Sequence, residues 1–425
     1  MKKYIALLLA LVLTLALLTS CELMAPGPTE RPAIGQTERP SSGSAEPTGS
    51  ADPGPSQILW QEGVGPDFDR RFSQIGSNVC STENTVYFSY LMGVDLIYFA
   101  DKTTGICLPL CGKPECTHDG ENCNAYIGRG LHGLTCYDGR LYWVGEDRFM
   151  GNWHIFSMAY DGTDRRMGRE LSDWGSCLQA QFHKGYLYRS YYAQEVVNGV
   201  AKDTLYVSAY PMEGDGEGIV ILSEEIDYQQ LAIQAYGDAL YIAFEMENGT
   251  FALYRWSTRV GELETLFRET VPFNWNRQLW VTEDGVILDG SVPTGPDGDP
   301  WASRENNIYL FSFDSSKIEL LYQYWSGEED GMNVIFGDGA VIANWMPEPG
   351  RLRVLVRDFG GQPLLDETFE AGDWYYAPPV RNGPMTGFGM DESYLYFFKY
   401  GEKFISVAWD GSEIKLLWSR GSEYS

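Results

Sequence analysis

The chain has 425 residues, with 59 acidic against 31 basic side chains and a formal net charge of −28. That balance argues against nucleic acid and anionic lipid headgroups as partners, because both are held by basic patches and by released counterions. Its plain consequence is solubility on a crowded, charged surface.

Lys2 and Lys3 form a positive start, Ile5 to Leu18 an uncharged apolar run, and Leu18-Thr19-Ser20-Cys21 closes it with small residues before a cysteine. This order predicts an export signal over 1–20. Fourteen apolar residues fall short of the roughly twenty that cross a bilayer as a helix. Leu18 to Cys21 resembles the lipobox of bacterial lipoproteins, which implies cleavage before Cys21, a diacylglyceryl thioether on its sulfur, and attachment to the extracytoplasmic face of the cell membrane. Removal of 1–20 takes two lysines and no acid, leaving 29 basic against 59 acidic residues.

Between Glu22 and Pro55 stand seven Pro, five Gly, four Ser and three Thr, no aromatic residue, and Thr-Glu-Arg-Pro twice, at Thr29 and Thr37. Such a stretch cannot bury enough apolar surface to fold. Residues 21–56 are therefore expected to be a disordered tether carrying a folded domain at 57–425.

A unit recurs through that domain. Its hallmark is a turn, often Asp-Gly, followed by an aliphatic and then an apolar, usually aromatic residue, as in Asp138-Gly139-Arg140-Leu141-Tyr142 and Lys184-Gly185-Tyr186-Leu187-Tyr188. The aliphatic marker falls at Val86, Leu141, Leu187, Leu240, Ile287, Val341 and Leu395, at spacings of 46 to 55 residues. Repeats of this length indicate propeller blades or solenoid units. A second strand and a turn into a third follow each marker, clearest where His154 to Tyr160 precedes Asp161-Gly162-Thr163-Asp164 and Phe404 to Trp409 precedes Asp410-Gly411-Ser412-Glu413. With a short strand ahead of each marker the unit has four strands. The expected fold is an all-β propeller of seven four-stranded blades; six or eight remain open, since Ile58-Leu59-Trp60 can add a strand. The Asp-Gly-Thr-Asp and Asp-Gly-Ser-Glu turns resemble those of TolB-type propellers. Together with the tether and the cysteine segment, the chain is similar to exported lipoproteins of anaerobic Gram-positive bacteria with mostly unassigned function.

In a four-stranded blade, second-to-third and blade-to-blade connections share one face. Here these include Gly145 to Trp153, Ala193 to Asp203, Gly290 to Asn307, Gly372 to Pro384 and Cys111 to Gly133. Long loops on one face of a rigid scaffold are the usual place for binding. In or near these loops lie Trp153, Trp174, Trp275, Trp301 and Trp374, with Asp297, Asp299 and Asp373. Flat aromatics beside carboxylates suit a glycan, although tryptophan also fills gaps between blades. Asp297-Gly298-Asp299 offers a calcium ion two carboxylates.

Seven cysteines other than Cys21 lie between 80 and 177, and the Cys-rich loop 107–136 contains Cys107-x3-Cys111-x4-Cys116-x-His118-x4-Cys123. Cys111, Cys116, His118 and Cys123 make a chemically sound tetrahedral zinc set, without the usual paired C-x2-C spacing. Disulfides, a structural metal and reduced thiols all remain open on the sequence. Cys80, Cys136 and Cys177 each precede a marker in the first three units and should sit on or near innermost strands, where a bridge between blades is conceivable.

Signatures of chemistry are scarce. There are four histidines, no H-E-x-x-H and no G-x-S-x-G. Gly128-Arg129-Gly130-Leu131-His132-Gly133 fits a dinucleotide fingerprint but leads into a strand, not a helix. Asn248-Gly249-Thr250 reads as a hairpin turn. No cofactor is required by this reading. The expected role is a non-catalytic surface protein binding or scaffolding a glycan, peptide or envelope protein; the alternative is a propeller glycoside hydrolase or lyase working through paired carboxylates.

Overall fold

The structure is a computed structural model that describes residues 79–89, 96–120, 122–127, 129–147, 152–171, 177–197, 200–214, 216–225, 228–293, 304–326, 333–337, 339–348, 351–370, 389–390, 394–399, 403–408 and 414–419. The chain divides into Met1–Ser56 and Gln57–Ser425. All described residues belong to the second part, so Cys21 and the tether lie outside them. No helix among the described residues is long and apolar enough to cross a membrane.

Every element is a strand. The first sheet contains β1 (Val79–Ser81), β2 (Thr85–Ser89), β3 (Ile97–Asp101) and β4 (Cys107–Pro109). The second contains β5 (Arg129–Tyr137), β6 (Arg140–Glu146), β7 (Trp153–Ala159) and β8 (Arg166–Leu171). The third is β9 (Cys177–His183), β10 (Tyr186–Val197), β11 (Val200–Pro211) and β12 (Ile219–Glu225). The fourth is β13 (Tyr228–Tyr236), β14 (Ala239–Met246), β15 (Thr250–Ser257) and β16 (Leu263–Thr270). The fifth is β17 (Asn274–Val281), β18 (Gly285–Pro293), β19 (Arg304–Ser312) and β20 (Lys317–Ser326). The sixth is β21 (Asn333–Gly337), β22 (Ala340–Glu348), β23 (Arg351–Asp358) and β24 (Pro363–Glu370). The seventh is β25 (Gly389–Met390), β26 (Tyr394–Lys399), β27 (Lys403–Ala408) and β28 (Ile414–Ser419). Each sheet is an antiparallel meander of four consecutive strands. In six of them every strand has three residues or more; in the seventh the first strand has two. The architecture is an all-β propeller of four-stranded blades.

Each of the seven markers falls in the second strand of a sheet; before Leu141, Leu187 and Leu240 the turn reverses the chain in two residues, whereas Ser81 pairs with Val86 and Val281 with Val286 across four. Asp138 and Gly139 have φ of 43° and 74°, and Lys184 and Gly185 have 46° and 78°. Two successive left-handed residues make the tight hairpin whose twist matches the flanking strands. Asn248-Gly249 is likewise a hairpin turn, with Gly249 N–H on the Met246 carbonyl at 2.9 Å.

The apolar residues form layers between neighbouring sheets. One joins Tyr87 and Ile97 of the first sheet to Leu141, Trp143 and Met158 of the second; another joins Leu205 and Val207 to Leu231, Ile242 and Trp256 across the third and fourth. Trp275, Val281 and Phe311 pack on Phe251 and Leu253 across the fourth and fifth. Tyr396 of the seventh sheet packs with Val79, Val86 and Phe88 of the first.

Two expectations about loops change. Ala193 to Asp203 is largely paired strand: β10 and β11 remain paired as far as Val197 and Val200. Part of Gly290 to Asn307 is likewise paired strand, up to Pro293 opposite Arg304.

Two glycines separate strain from collision. At Gly285 an added Cβ would stand 2.0 Å from the Phe311 carbonyl oxygen, whereas at Gly139, with φ of 74°, it would meet nothing within 4 Å. Gly139→Ala should cost about 1–2 kcal/mol through its left-handed backbone alone. Gly285→Ala should cost more than that, since β18 must move off β19. Chemical denaturation of both variants checks the order, which reverses if the hairpin strain dominates.

Candidate metal centre

The segment after β4 crosses from the first sheet to the second and is tied at both ends. Ile97 N–H donates to the Ala125 carbonyl and Leu110 N–H to that of Ile97, each at 2.8 Å. It also lies on the β7–β8 turn: Gly112 N–H and Asn124 Nδ2 donate to the Gly162 carbonyl at 3.2 Å and 2.7 Å. Arg165 donates to the carbonyls of Asn124 and Tyr126. This contact requires Gly162, whose φ is 77° and whose added Cβ would stand 2.8 Å from the Leu110 backbone. The segment thus joins two sheets rather than hanging free among the long loops.

Within it Cys111, Cys116, His118 and Cys123 place one ligand atom each within 4.8 Å of the others. A tetrahedral zinc with bonds of about 2.3 Å to sulfur sets neighbouring sulfurs roughly 3.8 Å apart, so the four atoms need only a small contraction around an ion. The three cysteines are thiols. His118 has φ of 57°, a left-handed turn that accompanies its Nδ1 lying 3.3 Å from the Cys123 sulfur. Strained backbone of this kind persists where surroundings over-determine it, commonly at sites that hold something.

The electrostatics suit thiolates at one position more than the other. Burial pushes the Cys111 thiol up, but the backbone N–H groups of Lys113 and Asn124 and hydrogen bonds with Cys116 and Cys123 outweigh it and hold Cys111 below its ordinary value. Cys123, 2% exposed, is pushed up to about 12, first by burial and then by the neighbouring thiols; the Ala125 N–H opposes this. A divalent cation reverses such a penalty, because a coordinating thiol is deprotonated outright. The donor set, its spacing and its N–H donors are compatible with a structural metal.

Of the aromatic and acidic positions on the long loops, Trp153 and Trp275 are among the described residues. Trp275 is fully buried, edge-on to Phe251 at 5.3 Å, with Nε1 donating to the Gln278 carbonyl at 2.9 Å. It fills the gap between sheets four and five and is corrected from a ligand contact to a core residue. Trp153 opens β7, half-buried, its ring 5.3 Å from that of His132. Trp174, Trp301, Trp374, Asp297, Asp299 and Asp373 lie outside the described residues.

A second polar centre was not signalled by any motif. Glu245 and Asp289, 2% and 3% exposed, are the fully buried carboxylates among the described residues. Glu245 accepts the Trp275 N–H at 3.0 Å. Asp289 Oδ1 accepts Asn276 Nδ2 at 3.1 Å and the Tyr324 hydroxyl at 3.0 Å. Burial pushes Asp289 up to about 6, against the two hydrogen bonds. A lone acid in a strand carries no spacing that would announce such a site.

No family model matches the chain, and no curated protein matches it in sequence. Among solved structures it is similar to the β-propeller domain of the Trilobed protease from Pyrococcus furiosus, at 14% identity over 84% of this chain and 98% of that one, with a TM-score of 0.45. An oligogalacturonate lyase in complex with manganese matches at 12% identity over 81% and 89%, TM-score 0.48. A puromycin-hydrolyzing peptidase of Mycobacterium tuberculosis matches at 12% identity and TM-score 0.48. The chain spans about half the length of that peptidase and of a matching prolyl endopeptidase.

Two outcomes are expected. Chain purified without chelator should carry one equivalent of zinc, lost in Cys116→Ser and His118→Ala, with Cys111, Cys116 and Cys123 alkylated only after chelation; full alkylation with zinc present rules the site out. Asp289→Asn keeps an oxygen for both donors and removes the titration. The wild type should lose stability as pH rises from 4 through 6, where Asp289 must ionise while buried, by roughly 3 kcal/mol for a shift of about two units. The variant should therefore be the more stable protein at pH 7.5 and its equal near pH 4, as read from urea unfolding; a constant difference across that range would remove Asp289 as the cause.

Proposed function

We propose that the chain is an exported lipoprotein of the cell envelope whose seven sheets close as one ring of seven blades. On this reading residues 1–20 are the signal, Cys21 carries the lipid, 21–56 are the tether, and the propeller holds a glycan, peptide or envelope protein without transforming it. Zinc at Cys111, Cys116, His118 and Cys123 fastens the first inter-sheet connection.

The observation that carries the non-catalytic reading is the closed donor set. Four protein ligands leave no position on a tetrahedral ion for water or substrate, which is the mark of a structural site rather than a catalytic one. Closure of the ring is supported by Tyr396 packing on Val79, Val86 and Phe88. Export is supported by the charged, apolar and small-residue order of 1–21, and a surface role by the acidic balance of the mature chain.

A glycoside hydrolase or lyase is the second reading. It is favoured by Glu245 and Asp289, which bond to the adjacent residues Trp275 and Asn276 and are both raised by burial, as a general acid requires. Both are closed to solvent among the described residues, 2% and 3% exposed, and the binding reading stands first. Release of reducing ends from an envelope or plant polysaccharide, abolished by Glu245→Gln, would exchange the two readings.

Expressed in a lipoprotein-processing bacterium, the wild type should partition into detergent with the mass of a diacylglyceryl group beginning at Cys21. Cys21→Ser should appear in the aqueous phase without that mass. Equal partitioning of the two rejects the anchor.

A further inference from the structure

The inner strands of neighbouring sheets are clasped at one recurring register position. Gln181 stands six residues before the marker Leu187 and Gln234 six before Leu240. Both are buried, and both reach the backbone of the next innermost strand. Gln181 Oε1 accepts the Ala235 N–H at 2.6 Å, crossing from β9 to β13. Gln234 Oε1 accepts the Val281 N–H at 2.7 Å, and its Nε2 donates to the Leu279 carbonyl at 3.1 Å, crossing from β13 to β17.

Cys80 occupies the same position, six residues before Val86, and faces Cys136, five before Leu141, as Gln181 faces Ala235, five before Leu240. Their sulfurs are 2.8 Å apart. Two non-bonded heavy atoms are at their best at about 3.5–4.0 Å, whereas a disulfide bond is about 2.05 Å long. A separation between these limits is too short for two thiols at rest and needs under an ångström of movement for a bond.

We propose that Cys80 and Cys136 form a disulfide that clasps the first sheet to the second, replacing by a covalent bond what Gln181 and Gln234 do by hydrogen bonds further along. The oxidant is an exported dithiol oxidoreductase or a low-molecular-weight disulfide. The thiolate of one cysteine attacks a sulfur of the donor disulfide and expels one donor thiolate, giving a mixed disulfide. The second cysteine's thiolate then attacks the protein-side sulfur and expels the other. One S–S bond forms in the protein and one breaks in the donor; two protons leave the cysteines and the donor takes up two electrons. The bond is separate from the metal cluster, shares no ligand with it, and encloses Cys111, Cys116, His118 and Cys123 within its loop.

The test is independent of export. The purified chain, saturated with zinc, is treated with glutathione disulfide, alkylated without reductant and digested. The expected result is a peptide pair joined through Cys80 and Cys136, two mass units below the sum of its reduced parts and released by reductant. Reductant should lower the melting temperature of the oxidised protein by about 5 °C or more, and should leave that of the Cys80→Ser/Cys136→Ser variant unchanged while its zinc content equals that of the wild type. Full alkylation of Cys80 and Cys136 after oxidation overturns the proposal, as does either of them linked to a different cysteine. The peptide map of the unsubstituted chain decides the matter if the variant fails to fold.

Discussion

Each sheet is completed by four consecutive strands, so no main-chain ladder among the described residues crosses from one sheet to the next. The assembly therefore depends on side chains packed between sheets. Full burial of a large apolar side chain stabilises by about 1.5–3 kcal/mol, and the layers around Trp143, Trp256, Trp275 and Phe311 supply many such terms. That attraction is non-directional and tolerates sliding. The buried Gln181, Gln234 and Glu245 add direction, because each bonds to a backbone N–H of the neighbouring innermost strand. A hydrogen bond of this kind adds only about 1 kcal/mol net, but leaving its buried partners unsatisfied costs more, so the clasps fix the relative height of the sheets.

The described strands of the first sheet are short. Its strands run three, five, five and three residues, against seven to twelve in the third. Short strands bury little surface and offer few rungs. The chain compensates at the junction with the second sheet, where Tyr87 stacks on Tyr160 with ring centroids 5.4 Å apart and Asn124 and Arg165 bind backbone carbonyls across the joint. The metal-ligand cluster and the close approach of Cys80 to Cys136 fall in the same joint. Cysteine chemistry is thus concentrated at the joint between the first sheet and the second, which Ile97, Leu141, Trp143 and Met158 also pack.

The architecture was legible because hairpin turns obey local chemistry. Asp138-Gly139 and Lys184-Gly185 adopt two left-handed residues each, and the recurrence of turn, aliphatic and apolar residue marks the second strand of all seven sheets without tertiary information. The metal ligands were legible for a related reason: cysteine and histidine are rare enough that four within thirteen residues stand out. Packing was less legible. Trp275 looks like a loop tryptophan in sequence, yet the strand beside it carries Phe251 at the height that encloses its ring. Ala193 to Asp203 reads as a loop from its length and polarity, yet the β10–β11 ladder extends into it from both sides. Gln181, Gln234 and Asp289 gave no signal at all, because one polar residue in a strand reads as solvent-facing until the neighbouring sheet is in place.

On the proposed anchoring, the tether precedes β1 in the chain. Three residue pairs, Val79–Ser81 with Val86–Phe88, hold β1 to β2. Cys80 lies in the middle of those rungs, opposite Tyr87. A bond from Cys80 to Cys136 would tie β1 to β5, a nine-residue strand paired to β6. A metal held by Cys111 to Cys123 would do the same for the far edge of the sheet, since that segment leaves from β4 and is bonded to β3 and to the β7–β8 turn. Both edges of the first sheet would then be tied to the second, so the two cysteine features act on the same joint from opposite sides.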